Sequence, residues 1–265
     1  MREAIHQDKE RILQYLQREV QDCIYLYIDI ANYGVCSEHM KVWLEEDADS
    51  RELILVVMQY YDSFQIYSHR TSCNIAPVAE LLKEHSVAMV SGRSDIIKQL
   101  VQECEAYRAT YGAIYIMDRY RAMQSEVEVL LATENDTTEI AELICADEEI
   151  GGHYTVENLS AQLAERIRTG TGRSYIIREN GVIVAHSATY AEAEGIAVVG
   201  GTIIKPECRN SNYYMVLSNY MLQQLVQEGK TAYTFSISDK MIRYHDMLHT
   251  KCGEYGKMVK RKSYE

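Results

Sequence analysis

The order of hydrophobic periods in residues 126–265 is the feature that most restricts the fold. A strand-like run, "EVEVLLAT", precedes two amphipathic helical runs, "TTEIAELICADE" and "TVENLSAQLAERIRTG", with Gly170 as the stop of the second. "RSYIIRENGVIVAHSATYA" reads as a hairpin whose Asn180-Gly181 is a strong two-residue turn signal. A third strand, "GIAVVGGTII", leads through "KPECRNS" to the helix "NYYMVLSNYMLQQLVQEG", which ends at Gly229. Strand "TAYTFSIS", helix "DKMIRYHDMLHTKC" and strand "YGKMVKRKSY" follow. The order β-α-α-β-β-β-α-β-α-β describes an α+β protein and is more specific than any single motif.

The first half reads as a helix over roughly 2–20, then strands at "CIYLYIDI", "KVWLEE" and "ELILVVMQYYDSFQIYS". A helix "APVAELLKEH", a strand "VAMVSG", a helix "SDIIKQLVQECEAY" with Ser94 and Asp95 as its cap, and a strand "GAIYIMD" complete it. The polar segment "DRYRAMQSE" (118–126) lies between apolar strands and sets the expected division at 1–123 and 124–265.

Residues 203–217, "IIKPECRNSNYYMVL", outline a phosphate cradle: a strand, a proline, an arginine and a helix N-terminus whose amides face an anion. The glycines that let a backbone approach phosphate are absent. Two readings stand, a working anion cradle and a structural corner that has lost that task.

Charge and cysteine usage narrow the partners. The net charge of −12 disfavours nucleic acid or an anionic membrane as the main partner. Beyond position 200 there are ten Lys/Arg against six Asp/Glu, and before it seventeen against thirty-three. An acidic body with a mildly basic last quarter suits a cationic acceptor and a phosphorylated co-substrate; "KMVKRK" (257–262) is equally a solvated strand. The seven cysteines show no CxxC spacing and fit reduced core thiols, so no structural zinc or disulfide framework is expected. The charged N-terminus and the absence of an ~18-residue apolar run point to a cytoplasmic protein without a membrane partner.

On "VLLATENDTTEIAELI", the Asn180-Gly181 hairpin and "TIIKPECRNSNYYMVLSNYML", residues 126–265 resemble the GCN5-related N-acetyltransferase superfamily. The resemblance implies a mixed sheet flanked by helices, complete in the C-terminal half, with acetyl-coenzyme A between a splayed fourth and fifth strand. It also implies a pyrophosphate turn of pattern Gln/Arg-x-x-Gly-x-Gly/Ala. Pro206, Glu207 and Arg209 match the lead-in, whereas Asn212 and Tyr214 stand where the small residues belong. Asn212 is expected to hold the left-handed conformation that glycine normally supplies. The cofactor-binding set is Ile204, Arg209, Asn210, Ser211, Asn212, Tyr213 and Tyr214, with the Ile204 amide polarising the thioester. The first half is similar to the latter part of the same fold and lacks the turn motif. It therefore reads as a degenerate acetyltransferase-like domain without cofactor, in the manner of tandem bacterial members whose substrates are undefined.

The resemblance implies an acyltransferase that moves acetyl from acetyl-coenzyme A to a small amine by direct attack. The alternative is a non-catalytic ligand sensor or interaction module. A tyrosine on the last helix would protonate the departing thiolate; counting from the preceding strand places Tyr244 or His245 there, and counting back from Gly253 places His249. A phenol suits the thiolate best, which favours Tyr244. His186 and Glu194 are candidate bases, though a strand histidine also fits a hydrogen-bonded core position and ordered water can serve as base. "HDMLH" sets His245 and His249 at i and i+4, with Cys252 one turn on, in outline a zinc motif. No metal is assigned, because the segment coincides with the last helix of the fold. Residues 147–158, "DEEIGGHYTVEN", are expected to line the acceptor pocket.

Overall fold

A computed structural model describes residues 1–37, 40–85, 87–120, 125–152 and 154–261. In chain order the elements are β1 (Arg2–Glu3), α1 (Lys9–Leu16), α2 (Ile24–Tyr33), β2 (Cys36–Ser37), β3 (Met40–Glu46), β4 (Leu53–Tyr60) and β5 (Ser63–Tyr67). Then come α3 (Ala76–Glu84), β6 (Met89–Arg93), α4 (Ser94–Glu103), β7 (Tyr107–Ile116), β8 (Leu130–Leu131), α5 (Thr137–Cys145), the single turn α6 (Glu148–Gly151) and α7 (Val156–Thr169). The chain finishes with β9 (Arg173–Glu179), β10 (Val182–Ala193), β11 (Ile196–Ile204), α8 (Tyr213–Gln227), β12 (Thr231–Ser236), α9 (Asp239–Leu248) and β13 (Thr250–Lys260).

Two compact units form: residues 1–115 with 235–265, and residues 116–234. This differs from the expected division at 123/124, because α9 and β13 pack with the first unit. Of the segment expected to mark the boundary, residues 121–124 lie outside the described residues.

In the first unit the strand order is β1-β3-β4-β5-β6-β13-β7. β13 pairs antiparallel with β6 from Tyr255↔Arg93 to Val259↔Met89, so the chain's last strand completes this sheet. Its alternation buries Gly256 and Met258, and Gly256 is required because a Cβ there would stand 2.7 Å from Cβ of Ile97 on α4. The stretch "CIYLYIDI", expected as a strand, is the helix α2. Ile24, Leu26, Ile28 and Ile30 are all buried while Tyr25, Tyr27 and Asp29 are half-buried. A helix covered on most sides carries apolar residues at alternate positions too, and so imitates a strand. Gly34, at φ 85°, ends it. The expected helix over 2–20 is likewise divided: Arg2–Glu3 pair with β3, and Glu19 leaves helical geometry at φ −142°, ψ 56°.

In the second unit the order is β12-β11-β10-β9-β8. The hairpin β9–β10 turns on Asn180 and Gly181, both with positive φ, as an Asn-Gly turn requires. One face of the sheet is covered by α5 and α7 through Ile140, Ile144, Leu159 and Leu163, which meet Ile176, Ile183 and Ile203. The other face is covered by α8 through Val216, Leu217, Met221 and Leu225, which meet Tyr175, Val184 and Val199. Thr155 caps α7 by accepting the Asn158 amide, and Gly170 stops it at φ 69°.

Candidate cofactor cleft in residues 116–234

β11 and β12 run parallel but pair only at Ile196↔Thr231, Ala197↔Ala232 and Val198↔Tyr233. From Val199 to Ile204, β11 has no partner in β12, so the strands part toward their C-terminal ends. The paired end is clamped by a buried ion cluster. Glu192, 4% exposed, takes both Arg173 contacts (2.7 and 2.8 Å), Lys230 Nζ (2.5 Å) and the Thr189 hydroxyl. Burial pushes the Glu192 carboxyl up, but its hydrogen bonds from Arg173, Lys230 and Thr189 outweigh this and hold it below the usual glutamate value. Its stabilisation is therefore present above pH 4.5 and lost as pH falls below that value. Glu192→Gln is expected to lower stability by about 1–3 kcal/mol near neutral pH, because the half-buried Arg173 and Lys230 lose the more buried of their two carboxylate partners and keep only Glu228. A chemical denaturation series from pH 7 to 4 checks both statements, with the wild-type advantage shrinking toward pH 4.

The edge strand also carries a bulge. The β10–β11 register changes between His186↔Ile203 and Ala188↔Gly200, which leaves Gly201 and Thr202 opposite Ser187 alone. Gly201 adopts φ 62°. Beyond the bulge, the Lys205 N–H donates to the Val184 carbonyl on β10 at 2.9 Å. By strand alternation the Ile204 peptide groups then point away from β10, to the unpaired edge. The Ile204 carbonyl accepts Arg209 Nε–H at 3.4 Å.

The turn that follows needs no glycine. Residues 206–208 form a 3-10 turn, Arg209 is αR at φ −64°, and Asn212 precedes α8 at φ −88°, ψ 12°. Among the described residues the only non-glycine positive φ values belong to Arg51, Tyr61 and Asn180. The left-handed conformation expected at Asn212 is thus absent; a right-handed path makes the turn, and asparagine is unstrained in it. The Cys208, Arg209 and Ser211 amides close the turn on the Lys205, Pro206 and Cys208 carbonyls. Ser211 Oγ accepts the Tyr213 amide at 3.3 Å. Among the described residues the amides of Asn210 and Asn212 meet no acceptor, and both residues are exposed. The Tyr213 hydroxyl donates to Glu179, and that bond together with burial raises its pKa. Tyr214 is half-buried.

Arg209 is exposed and ion-paired to Asp147 at 3.2 Å. The two line a cavity of about 410 Å³ together with Glu139, Glu142, Ile203 and Lys205. Asp147 belongs to the segment 147–158 expected near the acceptor, of which His153 lies outside the described residues.

The candidate catalytic groups are divided between the two units. Tyr244 and His249 lie in the first unit, on α9 and at its C-cap. His245 is buried beside His249 (ring centroids 5.5 Å) and Tyr115 (5.2 Å), and burial, then the charge of His249, lower its pKa to about 4. Cys252 instead donates to the Ile114 carbonyl at 3.5 Å. No set of three or more His, Cys, Asp or Glu fit to hold a metal occurs among the described residues. Glu194 is exposed in the β10–β11 turn, at the opposite end of β11 from Ile204, and does not reach the open gap as a base.

His186 departs from the role of base. It is fully buried, with Nδ1 3.2 Å from the Gly201 carbonyl and Nε2 3.1 Å from Ser174 Oγ. A carbonyl only accepts, so Nδ1 carries the proton and Nε2 accepts from Ser174. Burial lowers its pKa to about 4. The folded value lies below the ordinary 6.5, so its contribution is complete above pH 6.5 and is lost toward pH 4, by about 3 kcal/mol in all. An NMR titration of the His186 ring is expected to give a midpoint below pH 5; a midpoint near 6.5 contradicts the burial argument.

The corresponding strands of the first unit stay together. β5 and β6 pair through Ile66↔Gly92, and a Cβ on Gly92 would stand 2.3 Å from the Ile66 carbonyl. Arg93 then donates to the Ser68 carbonyl (3.2 Å) and pairs with Asp95 (2.5 Å).

No family profile matches the sequence, and no curated protein matches it. Solved structures match over nearly the whole chain. An acetyltransferase of the GNAT family from Colwellia psychrerythraea aligns with 98% of this chain and 99% of its own, at TM-score 0.58 and 10% identity. A tandem GNAT protein from the clavulanic acid biosynthesis pathway aligns over 97% of both chains, at TM-score 0.58 and 12% identity. A GCN5-related N-acetyltransferase-like protein from Streptococcus suis aligns with 97% of this chain and all of its own, at TM-score 0.59 and 10% identity. No described helix is long and apolar enough to cross a membrane.

Proposed function

From the fold shared with GCN5-related N-acetyltransferases, we propose that this chain is an acyltransferase that moves acetyl from acetyl-coenzyme A to a small amine. The observation that carries the proposal is the parting of β11 from β12 beyond Val198, directly above the turn that opens α8. A pantetheine arm can add to the unpaired edge of β11 as a strand would. The Ile204 amide lies on that edge. Arg209 and the amides of Asn210 and Asn212 suit a diphosphate by charge and by hydrogen bonding. Ser211, Tyr213 and Tyr214 complete the wall of the turn. Coenzyme A supplies the thioester; the chain orients it and excludes water.

The amine nitrogen forms a bond to the acetyl carbon, the C–S bond breaks, and the thiolate takes up a proton. A backbone amide on the carbonyl oxygen stabilises the charge that develops there. With Glu194 at the far end of β11 and His186 enclosed, ordered water is the base the second unit supports best. Tyr244 and His249 remain proposals for the proton donor.

A ligand sensor on the same fold is the second reading, favoured by the engagement of Arg209 with Asp147. Release of free thiol from acetyl-coenzyme A across an amine panel tests the two. Amine-dependent thiol release is expected. Tight coenzyme A binding with no release above the uncatalysed rate for any amine supports the sensor.

A further inference from the structure

We infer that Arg166, Tyr190 and the Gly200–Gly201 backbone form a subsite for a carboxylate on the acceptor, so that the amine substrate is an amino-acid-like molecule. This inference rests on the acetyl-transfer reading for its substrate role, and on three independent features for the site itself.

The first is a half-buried guanidinium left without an anion. Arg166, in the last turn of α7, stands over the Tyr190 ring at 5.6 Å. Among the described residues it makes no ion pair and no side-chain hydrogen bond. The comparison within the same unit is pointed. Arg173 is held by Glu192 and Glu228, and Arg178 by Asp136 and Glu139. Those two arginines are finished as structural pairs; Arg166 has five donors still to satisfy.

The second feature is the Tyr190 phenol. Tyr190 is the extra residue of a bulge in β10, between Thr189↔Val199 and Ala191↔Val198. Its ring lies on Gly200, where a Cβ would stand 3.2 Å from Cε2, and its oxygen lies against Gly201. The hydroxyl makes no hydrogen bond among the described residues. Burial pushes its pKa up to about 12, so it remains a donor throughout the physiological range.

The third is placement. The Gly200–Gly201 pair sits on the part of β11 that has left β12, where the thioester end of an added pantetheine would run. Tyr154, of the segment 147–158, is near enough for its charge to affect Tyr190 ionisation. A planar carboxylate can take two of the Arg166 N–H groups side by side and the phenol O–H together. An acidic protein surface would in turn draw the ammonium end of such a zwitterion.

The test uses the full chain and ligand-observed saturation-transfer NMR. The probes are a set of N-acetyl-L-amino acids and their matching carboxamides. At least one acid is expected to bind, with its carboxamide weaker by about tenfold or more. Arg166→Met is expected to remove that preference, Arg166→Lys to keep part of it, and Tyr190→Phe to weaken binding about threefold. Arg166→Lys also serves if Arg166→Met does not fold. Equal binding of acids and carboxamides, no binding by any acid, or full preference in the Arg166 variants overturns the subsite. Coenzyme A binding is measured separately by calorimetry. Cofactor binding without acid preference sinks the carboxylate subsite alone; acid preference without cofactor binding sinks the acetyl-transfer reading alone.

Discussion

Gly201→Val is expected to destabilise the protein by about 3–6 kcal/mol. Two penalties combine. At φ 62° a β-branched residue is forced into a left-handed conformation it rarely adopts. Its Cβ would also stand 1.7 Å from the Tyr190 hydroxyl oxygen and 2.5 Å from Cζ. The ring cannot simply swing aside, since it rests on Gly200 on one side and faces Arg166 on the other. Gly170→Val is the matched control: φ is 69° there, and nothing lies within 4 Å of the added Cβ. It therefore carries the strain without the collision. Tyr190→Ala placed on top of Gly201→Val is expected to return about 1–3 kcal/mol, the steric share. Equal thermal shifts for the Gly201 and Gly170 variants, or no recovery in the double variant, would contradict this placement of Tyr190.

Arg209→Ala is expected to weaken coenzyme A binding by about 10–100-fold, the usual range for a charge-assisted hydrogen bond to phosphate. The ion pair with Asp147 does not prevent this role. Arg209 is exposed, and exposed pairs contribute only about 0–1 kcal/mol, so the guanidinium exchanges one anion for another at small cost. Asp147→Asn removes the competitor and is expected to tighten binding modestly, by about two- to fivefold. Calorimetric titration measures both. An Arg209→Ala affinity within twofold of the unmodified protein would leave the arginine as a partner of Asp147 and nothing more.

The second unit was largely legible because its local signals agree with its tertiary structure. Asn180-Gly181 marks a tight turn, Gly170 and Gly229 stop helices, and the apolar runs at 173–179 and 196–204 are strands buried on both faces of the sheet. The segment 24–30 was misleading for a physical reason: once a helix is covered nearly all round, its apolar spacing no longer reports its period. Where the last strand pairs was not legible either. Alternation in "YGKMVKRK" states that one face is buried, but not which neighbour buries it, and β13 joins β6 in the first unit.

The site was half legible. The lead-in Pro206, Glu207 and Arg209 marks the turn, and the left-handed conformation expected at Asn212 does not occur, because no residue of 205–214 has a positive φ. A further sequence signal is the Gly200-Gly201 pair inside a strand. Adjacent glycines there mark a bulge or a close approach, and both occur. Tyr190 and Arg166 carry no sequence mark of their own. One is among many tyrosines, and the other differs from Arg173 and Arg178 only in lacking carboxylates around it.

The most direct measurement is an amide-resolved NMR titration of the full chain with coenzyme A, taken to saturation. A diphosphate seated on the backbone between Ile204 and the first turn of α8 should shift the amides of Asn210 and Asn212 most. Smaller shifts should follow along Val199–Ile204, and all of them should collapse in Arg209→Ala. Amides of Asn210 and Asn212 that stay fixed at saturating coenzyme A would show that this corner holds no phosphate, and acetyl transfer at this cleft would fall with it.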